Sequence, residues 1–292
     1  MIKTSFSDFN IATDNLRKQA EGFLRSKIKS EPENVSYLIK LAHLLRKTGN
    51  LHEASMYLKK ALALEPNNAE AGYLVSILDQ KLNTNPCKKA YCPAPFLYIE
   101  DFLSPDEFSM IWSTIEKNKN YFKESVVYAA DGTNEVDSNL RKSKTLYKKN
   151  LGDISEWILS KIYKQLPEIL PYLNLDPFKP TSTEIQLTRH GNNDFFMIHQ
   201  DSNKDIDSIN NRTLTFVLYV HQEPKHFNGG EILLFDTDTQ TNNYNDRFTR
   251  LTPSSNSIIF FPSNYFHQVM PVYLLEDIFE YGRFAIHGWL HK

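Results

Sequence analysis

The spacing of apolar residues switches once along this chain, and that switch limits the folds open to it. Through residue 82 apolar side chains recur at helical intervals. From Thr183 onward they come in short runs of strand length separated by polar loops. No single-class fold accommodates both patterns. The prediction is an α+β protein with a small all-α domain over residues 1–82 and a second domain over 95–292. In the second, several short strands form a sandwich or barrel with helices packed on one side. A chain of 292 residues is long enough for two cores. Residues 83–94 hold Pro86 and Pro93, show no periodicity, and read as a linker.

The helical part repeats itself. Glu31-Pro32-Glu33-Asn34 returns as Glu65-Pro66-Asn67-Asn68, and at the same offset of 34 Ala20 matches Ala54, Phe23 matches Tyr57, and Leu24 matches Leu58. Leu38, Leu41, Ala42 and Leu45 lie at helical spacing before a break at Gly49-Asn50, and a second helix is predicted from His52 to Leu64. This segment resembles the tetratricopeptide repeat family, with one full unit at 33–66, a degenerate half before it and a capping helix after it. Fewer than three units leave little concave surface. The expected role is therefore a buttress or a homodimer contact rather than a peptide-binding groove.

Charge and hydropathy exclude some functions. Thirty-three Lys+Arg against 35 Asp+Glu give a net charge of −2, without the basic surplus that nucleic-acid binding by phosphate neutralisation needs. No stretch approaches 18 apolar residues, and the first residues lack a signal-peptide core, so a cytoplasmic protein without a membrane partner is expected. Cys87 and Cys92 have no second pair and read as two linker thiols.

In the second domain Pro95–Leu103 reads as a strand. Ser104-Pro105-Asp106-Glu107 is a capping box that opens a helix to about Lys117, and another helix runs from Asp153 to about Leu170. Strands are predicted at Glu184–Arg189, Phe195–Ile198, Thr213–Val220, Glu231–Phe235, Ser257–Phe261 and Arg283–Leu290. His199-Gln200-Asp201 closes one of these runs, His267 follows another, and Arg283 opens the last. A His and an Asp two apart on extended chain project to one side, so both can reach one ion. Two imidazoles and one carboxylate suit the facial triad of a non-haem Fe(II) oxygenase, which leaves three coordination positions open.

Four stretches in order, Arg212–Val220, Gly229–Phe235, Phe260–Val269 and Arg283–Trp289, resemble a prolyl-hydroxylase-type 2-oxoglutarate/Fe(II) dioxygenase over roughly 95–292. The resemblance implies a double-stranded β-helix (jelly-roll) with flanking helices. It implies His199, Asp201 and His267 as Fe(II) ligands and Arg283 as the partner of the distal carboxylate of 2-oxoglutarate. It also implies a hydrogen bond from Tyr219 to that carboxylate. A buried dicarboxylate needs a fixed cation, and a guanidinium can hold it through two parallel hydrogen bonds. The implied cofactors are Fe(II), 2-oxoglutarate and O2, with ascorbate in support. The implied reaction is hydroxylation of a prolyl residue in a protein or peptide. Hydroxylation of a free amino acid or other small natural product stays open, as does a tetratricopeptide adaptor whose oxygenase domain has lost turnover. The intact Asp201 weighs against related halogenases and against aspartyl/asparaginyl β-hydroxylases, which generally lack the carboxylate.

Three positions depart from the resemblance. Leu274–Phe279 lengthens the interval between His267 and Arg283, His190 stands where many relatives carry Tyr, and Ala285 stands where some carry Ser. His287 shares the inward face of Arg283 by alternation and reads equally as a site residue or a structural one. Arg141 and Arg212 are open between substrate contact and a structural role. Gly229-Gly230 reads as a turn without catalytic duty. His43, His52, His221, His226 and His291 read as surface residues. The polar segment 129–140 has the composition of a loop that closes over substrate.

Overall fold

The computed structural model describes residues 6–81, 91–128, 133–204 and 206–292. They divide into two compact units, Met1–Asp79 and Gln80–Lys292. The first unit is four helices, α1 (Phe6–Ser30), α2 (Val35–Thr48), α3 (Leu51–Leu64) and α4 (Ala69–Leu78), each packed on the next. Asn34, Asn50 and Asn68 cap α2, α3 and α4, their side chains accepting from the backbone N–H three residues on. Gly49 ends α2 at φ 84°, a left-handed conformation that suits glycine. Leu38, Leu41, Leu45, Ala54, Leu58 and Leu74 form the core. No helix among the described residues is long and apolar enough to cross a membrane.

Among the described residues the second unit has helices α5 (Pro105–Lys117) and α6 (Asp153–Tyr172) and seventeen short strands. Ser104 and Glu107 form the expected capping box at the start of α5. The strands before α6 are β1 (Tyr91–Cys92), β2 (Leu97–Ile99), β3 (Lys123–Glu124), β4 (Val127–Tyr128), β5 (Asn134–Glu135), β6 (Arg141–Lys142) and β7 (Lys144–Tyr147). After it come β8 (Ser182–His190), β9 (Phe195–His199), β10 (Arg212–Tyr219), β11 (Phe227–Gly229) and β12 (Ile232–Asp238). The last five are β13 (Tyr244–Leu251), β14 (Ile258–Pro262), β15 (His267–Val269), β16 (Val272–Leu274) and β17 (Arg283–His291).

Among the described residues there are two large antiparallel sheets and two two-stranded ones, β11-β16 and β4-β5. The larger runs β2-β14-β10-β17-β8-β7-β3, and the smaller runs β1-β12-β15-β9-β6 with β13 also paired to β12. From β8 onward the strands of the two large sheets mostly alternate along the chain, with β12 and β13 successive in the smaller, an arrangement consistent with a double-stranded β-helix. Side chains meet between them: Thr215 of β10 reaches Asp201 beyond β9, and Phe261 of β14 packs edge-on against His267 of β15.

The larger sheet is covered on both faces, which explains its nearly unbroken apolar runs. Leu214, Phe216 and Leu218 of β10 and Phe284, Ile286 and Leu290 of β17 share one core with Trp112 and Ile115 of α5 and Ile158 and Ile162 of α6. The intervening residues of the same strands point between the sheets. Gly288 is required by this packing. A Cβ there would lie 2.0 Å from the Glu184 carbonyl oxygen of the neighbouring strand and 2.8 Å from the Phe216 ring.

Several elements differ from expectation. Pro95–Leu103 is extended in sheet only over β2. Within the expected linker, Tyr91 and Cys92 pair with Asp238 and Thr237 of β12, because an edge backbone recruits a partner whatever its side chains are. Residues 82–90, including Cys87, lie outside the described residues, and Cys92 Sγ lies 3.6 Å from Tyr265 Oη. β13 escaped notice because charged residues interrupt its alternation, as suits a strand whose only neighbour is β12. The 274–279 insertion follows β16, which pairs with β11, and Phe279 packs edge-on against Phe122 and Phe284. Substituting Gly288→Ala should lower stability by about 1–3 kcal/mol, since the extra methyl meets backbone that cannot give. Chemical denaturation of the two proteins followed by tryptophan fluorescence measures this.

Candidate active site

β9 and β15 are antiparallel neighbours, and their register sets His267 directly opposite His199. The Asp201 backbone N–H donates to the Ser263 carbonyl at 3.1 Å, which turns the chain after β9 toward the same space. One donor atom from each of His199, Asp201 and His267 lies within 4.8 Å of the other two. His199 Nε2 is 3.6 Å from Asp201 Oδ1, and His267 Nε2 is 3.3 Å from Asp201 Oδ2. On the far side of each ring, Nδ1 lies 2.7 Å from Met197 O in His199 and 3.1 Å from Tyr265 O in His267. A carbonyl can only accept, so both protons sit on Nδ1 and both Nε2 lone pairs face Asp201.

Neighbouring groups hold this geometry. Thr215 Oγ1 donates to Asp201 Oδ2 at 2.8 Å, and Arg212 Nη1 donates to the Asp201 carbonyl at 3.2 Å. Phe196 stacks on the His199 ring with centroids 3.5 Å apart. Burial lowers His267 to about 4, leaving it neutral near pH 7. Burial alone would raise Asp201, whereas the adjoining imidazoles in their protonated forms lower it well below the usual range; with both rings neutral, the Thr215 hydroxyl is the donor that favours the carboxylate. Imidazole lone pairs together with an ionised carboxylate fit Fe(II).

Arg283 is almost wholly buried (2% exposed). Its Nη2 donates to Tyr219 Oη at 3.3 Å, and Nη1 lies 3.4 Å from Nδ1 of His190, its cross-strand partner on β8. A guanidinium only donates, so His190 Nδ1 accepts and its proton is on Nε2. That Nε2 and Arg283 Nε are both buried without a hydrogen-bond partner, and Arg283 is in no ion pair among the described residues. Burial and the adjacent Arg283 push His190 well below its ordinary value, so it is neutral. Unmet donors around a buried cation suit an anion.

Two neighbours of Arg283 escaped the sequence reading. Gly230, at φ 71°, lies against the arginine stem, where a Cβ would be 2.6 Å from Arg283 Cδ. It is therefore more than a turn residue. His221 is buried, correcting its reading as a surface histidine; neither ring nitrogen has a hydrogen-bond partner, and the ring packs edge-on against Phe227. The polar run after it hides that burial, to which the contact with Phe227 of β11 contributes.

The remaining candidates separate. Arg212 is clamped by Glu184 at 2.7 and 2.6 Å with its guanidinium 3.8 Å from the Trp289 ring, a structural assignment. His287 Nε2 lies 2.7 Å from Thr188 Oγ1, which in turn lies 3.4 Å from Arg141 Nη2. Ala285 sits opposite Tyr219. A cavity of about 790 Å³ is lined by His199, Asp201, Arg141, Gln186 and Trp289. Of the expected loop at 129–140, residues 129–132 lie outside the described residues; Asn134 and Glu135 pair with β4, and Leu140 lines the cavity.

Two antiparallel sheets thus carry a His-x-Asp…His donor set and a buried arginine in no ion pair among the described residues, an arrangement that would suit a facial-triad oxygenase. Residues 185–291 match the family model of the 2OG-Fe(II) oxygenase superfamily. The chain is 35% identical over 205 residues to an uncharacterised PKHD-type hydroxylase of Synechocystis sp., covering 69% of this chain and 65% of that protein. It thus spans just under two thirds of that relative's length. A PKHD-type hydroxylase of Prochlorococcus marinus is 24% identical over 192 residues, 65% of this chain and 75% of the relative. The fold is shared with a Pseudomonas putida prolyl-4-hydroxylase (TM-score 0.50, 16% identity, 68% of this chain and 94% of that one). It is shared equally with a Trichoplax adhaerens prolyl hydroxylase in complex with a hypoxia inducible factor peptide fragment (0.50, 17%, 74% and 87%).

Burial, with Arg283 nearby, lowers His221 to about 3 from an ordinary 6.5. The unfolded chain therefore binds one more proton between those values, and stability falls as pH drops through that window. His221→Phe should flatten the dependence by up to about 1.4 kcal/mol per pH unit near pH 5, measured by denaturation across pH 4–7.

Proposed function

We propose that this chain is an Fe(II)- and 2-oxoglutarate-dependent hydroxylase whose substrate is a prolyl residue of a protein or peptide. The observation that carries the reading is Arg283, a buried cation without a carboxylate, facing the same interior as the three convergent donors. His199, Asp201 and His267 would hold Fe(II), and Arg283 would take the distal carboxylate of 2-oxoglutarate. When bound, Fe(II) with 2-oxoglutarate and O2 supplies the oxidation that places a hydroxyl on the substrate carbon, yielding succinate and CO2.

The chain's own residues prepare that site. The Nδ1 bonds to Met197 and Tyr265 aim each Nε2 lone pair, and the Thr215 hydroxyl orients the Asp201 carboxylate. Tyr219 steadies the Arg283 guanidinium, and His190 Nε2–H offers one further donor to the incoming carboxylate. Hydroxylation is supported by the PKHD-type hydroxylase relatives, and a peptide substrate by the peptide-bound prolyl hydroxylase of like fold. The cavity of about 790 Å³ has the size of a drug-sized ligand site. For the helical unit the 34-residue repeat of Asn-capped helices supports a tetratricopeptide-like buttress or dimer contact.

Anaerobic titration with Fe(II) and 2-oxoglutarate should give a weak visible charge-transfer band in the wild type, absent in His199→Ala. In Arg283→Ala the 2-oxoglutarate requirement should rise at least about 100-fold, the loss of two charge-assisted hydrogen bonds of about 1.5–3 kcal/mol each. No band in folded wild type would favour the adaptor. Prolyl peptides should then gain one oxygen by mass spectrometry, whereas turnover of free proline alone would favour the small-molecule hydroxylase.

A further inference from the structure

We propose that Arg141 holds a carboxylate of the substrate in the cavity beside His199, so that the substrate is an acidic one. This rests on the hydroxylase reading above and adds its specificity.

Arg141 opens β6, which pairs with β9 so that Arg141 lies opposite Phe196. Its guanidinium is 4.8 Å from the Phe196 ring, and that ring stacks on His199. Arg141 is therefore one aromatic layer from the metal-binding triad. It is only 7% exposed, yet it lines the cavity.

A guanidinium carries five N–H groups. In Arg141, Nε donates to Ser143 Oγ at 3.1 Å, Nη1 to the Val126 carbonyl at 3.3 Å and Nη2 to Thr188 Oγ1 at 3.4 Å. All three acceptors are neutral, and the last two contacts are long. One N–H on each terminal nitrogen is left over, the pair that a carboxylate engages as a fork. Among the described residues no carboxylate forms an ion pair with Arg141, and Asp201 reaches it only through space. Burial brings Arg141 down to about 10, so the charge persists at neutral pH. A buried charge without a partner is costly unless something arrives to balance it.

The other charges on the cavity wall point the same way. Arg212 is already clamped by Glu184, which cancels that pair. Lys148 and Lys149 line the rim, are exposed, and make no ion pair among the described residues. Asp201 faces the two imidazoles. The cavity thus presents one buried fork and two rim ammonium groups to whatever enters. A substrate carboxylate has two sources, an Asp or Glu side chain near the target proline or the terminal carboxylate of the molecule.

The test uses the full chain with Mn(II) and 2-oxoglutarate without oxygen, and reads binding rather than turnover. Two peptide pools are captured and identified by mass spectrometry. One is acetylated and amidated with randomised residues around a central proline, and the other has neutral residues and a free C-terminus. Wild type should enrich Asp or Glu at one fixed offset, or the free-terminus pool, by about tenfold, the effect of one charge-assisted pair. The pool that is enriched names the source.

Arg141→Gln should abolish the enrichment while, in a separate anaerobic titration with Fe(II), its 2-oxoglutarate requirement stays within about twofold of wild type. Arg141→Lys, which keeps the charge but not the fork, should lose at least half of it and serves if the glutamine variant does not fold. Neutral peptides captured equally well, an acidic preference that survives in Arg141→Gln, or no capture from either pool would overturn the proposal. Absence of the 2-oxoglutarate band in wild type would instead be a failure of the hydroxylase reading.

Discussion

The backbone ladder that holds β17 between β8 and β10 is the constraint on which the second unit depends. Its period of two puts Arg283, Ala285, His287 and Trp289 toward the smaller sheet and Phe284, Ile286, Gly288 and Leu290 toward α5 and α6. A slip of one residue would exchange a guanidinium for a phenyl ring on each face. The register is pinned where mistakes cost most, by Gly288 against Phe216 and by Arg283 between Tyr219 and His190.

Charge inside the sandwich is organised around what is left unmatched. Asp201 is the one buried carboxylate between two imidazoles, with both Nε2 lone pairs turned to it by carbonyl acceptors behind the rings. Arg283 is a buried cation with no carboxylate opposite it, and unmet donors remain around it. Arginine is fitted to such a place because it does not surrender its proton on burial. Arg212, by contrast, is fully matched by Glu184 and stacked on Trp289, so its charge is spent on joining strands. Matched arginines build the scaffold, and unmatched ones mark where anions are expected.

Much of the site was legible because its chemistry is rare in sequence. His199 and Asp201 are two apart on an extended run, and His267 and Arg283 stand at strand ends in an order that few chains reproduce. The inward direction of Thr215 and Tyr219 followed from alternation alone. The bond from Thr215 to Asp201 did not, because it joins residues of different sheets. Gly230 read as a turn since its contact with Arg283 lies 53 residues away in the chain. His221 read as surface since a polar run, Gln222-Glu223, follows it in sequence, while the Phe227 ring packs on it in space.

The sequence by itself determined the helical unit, the strand-rich unit and the identity of the convergent donors. Those follow from local periodicity and from residue types that have few other uses. Only the tertiary structure decided which arginines are compensated, which histidines are buried, and which small residues make room. Each of those is a property of two strands brought together across the sandwich. Arg141 and Arg212 are chemically the same side chain, and only the distance to Glu184 tells them apart.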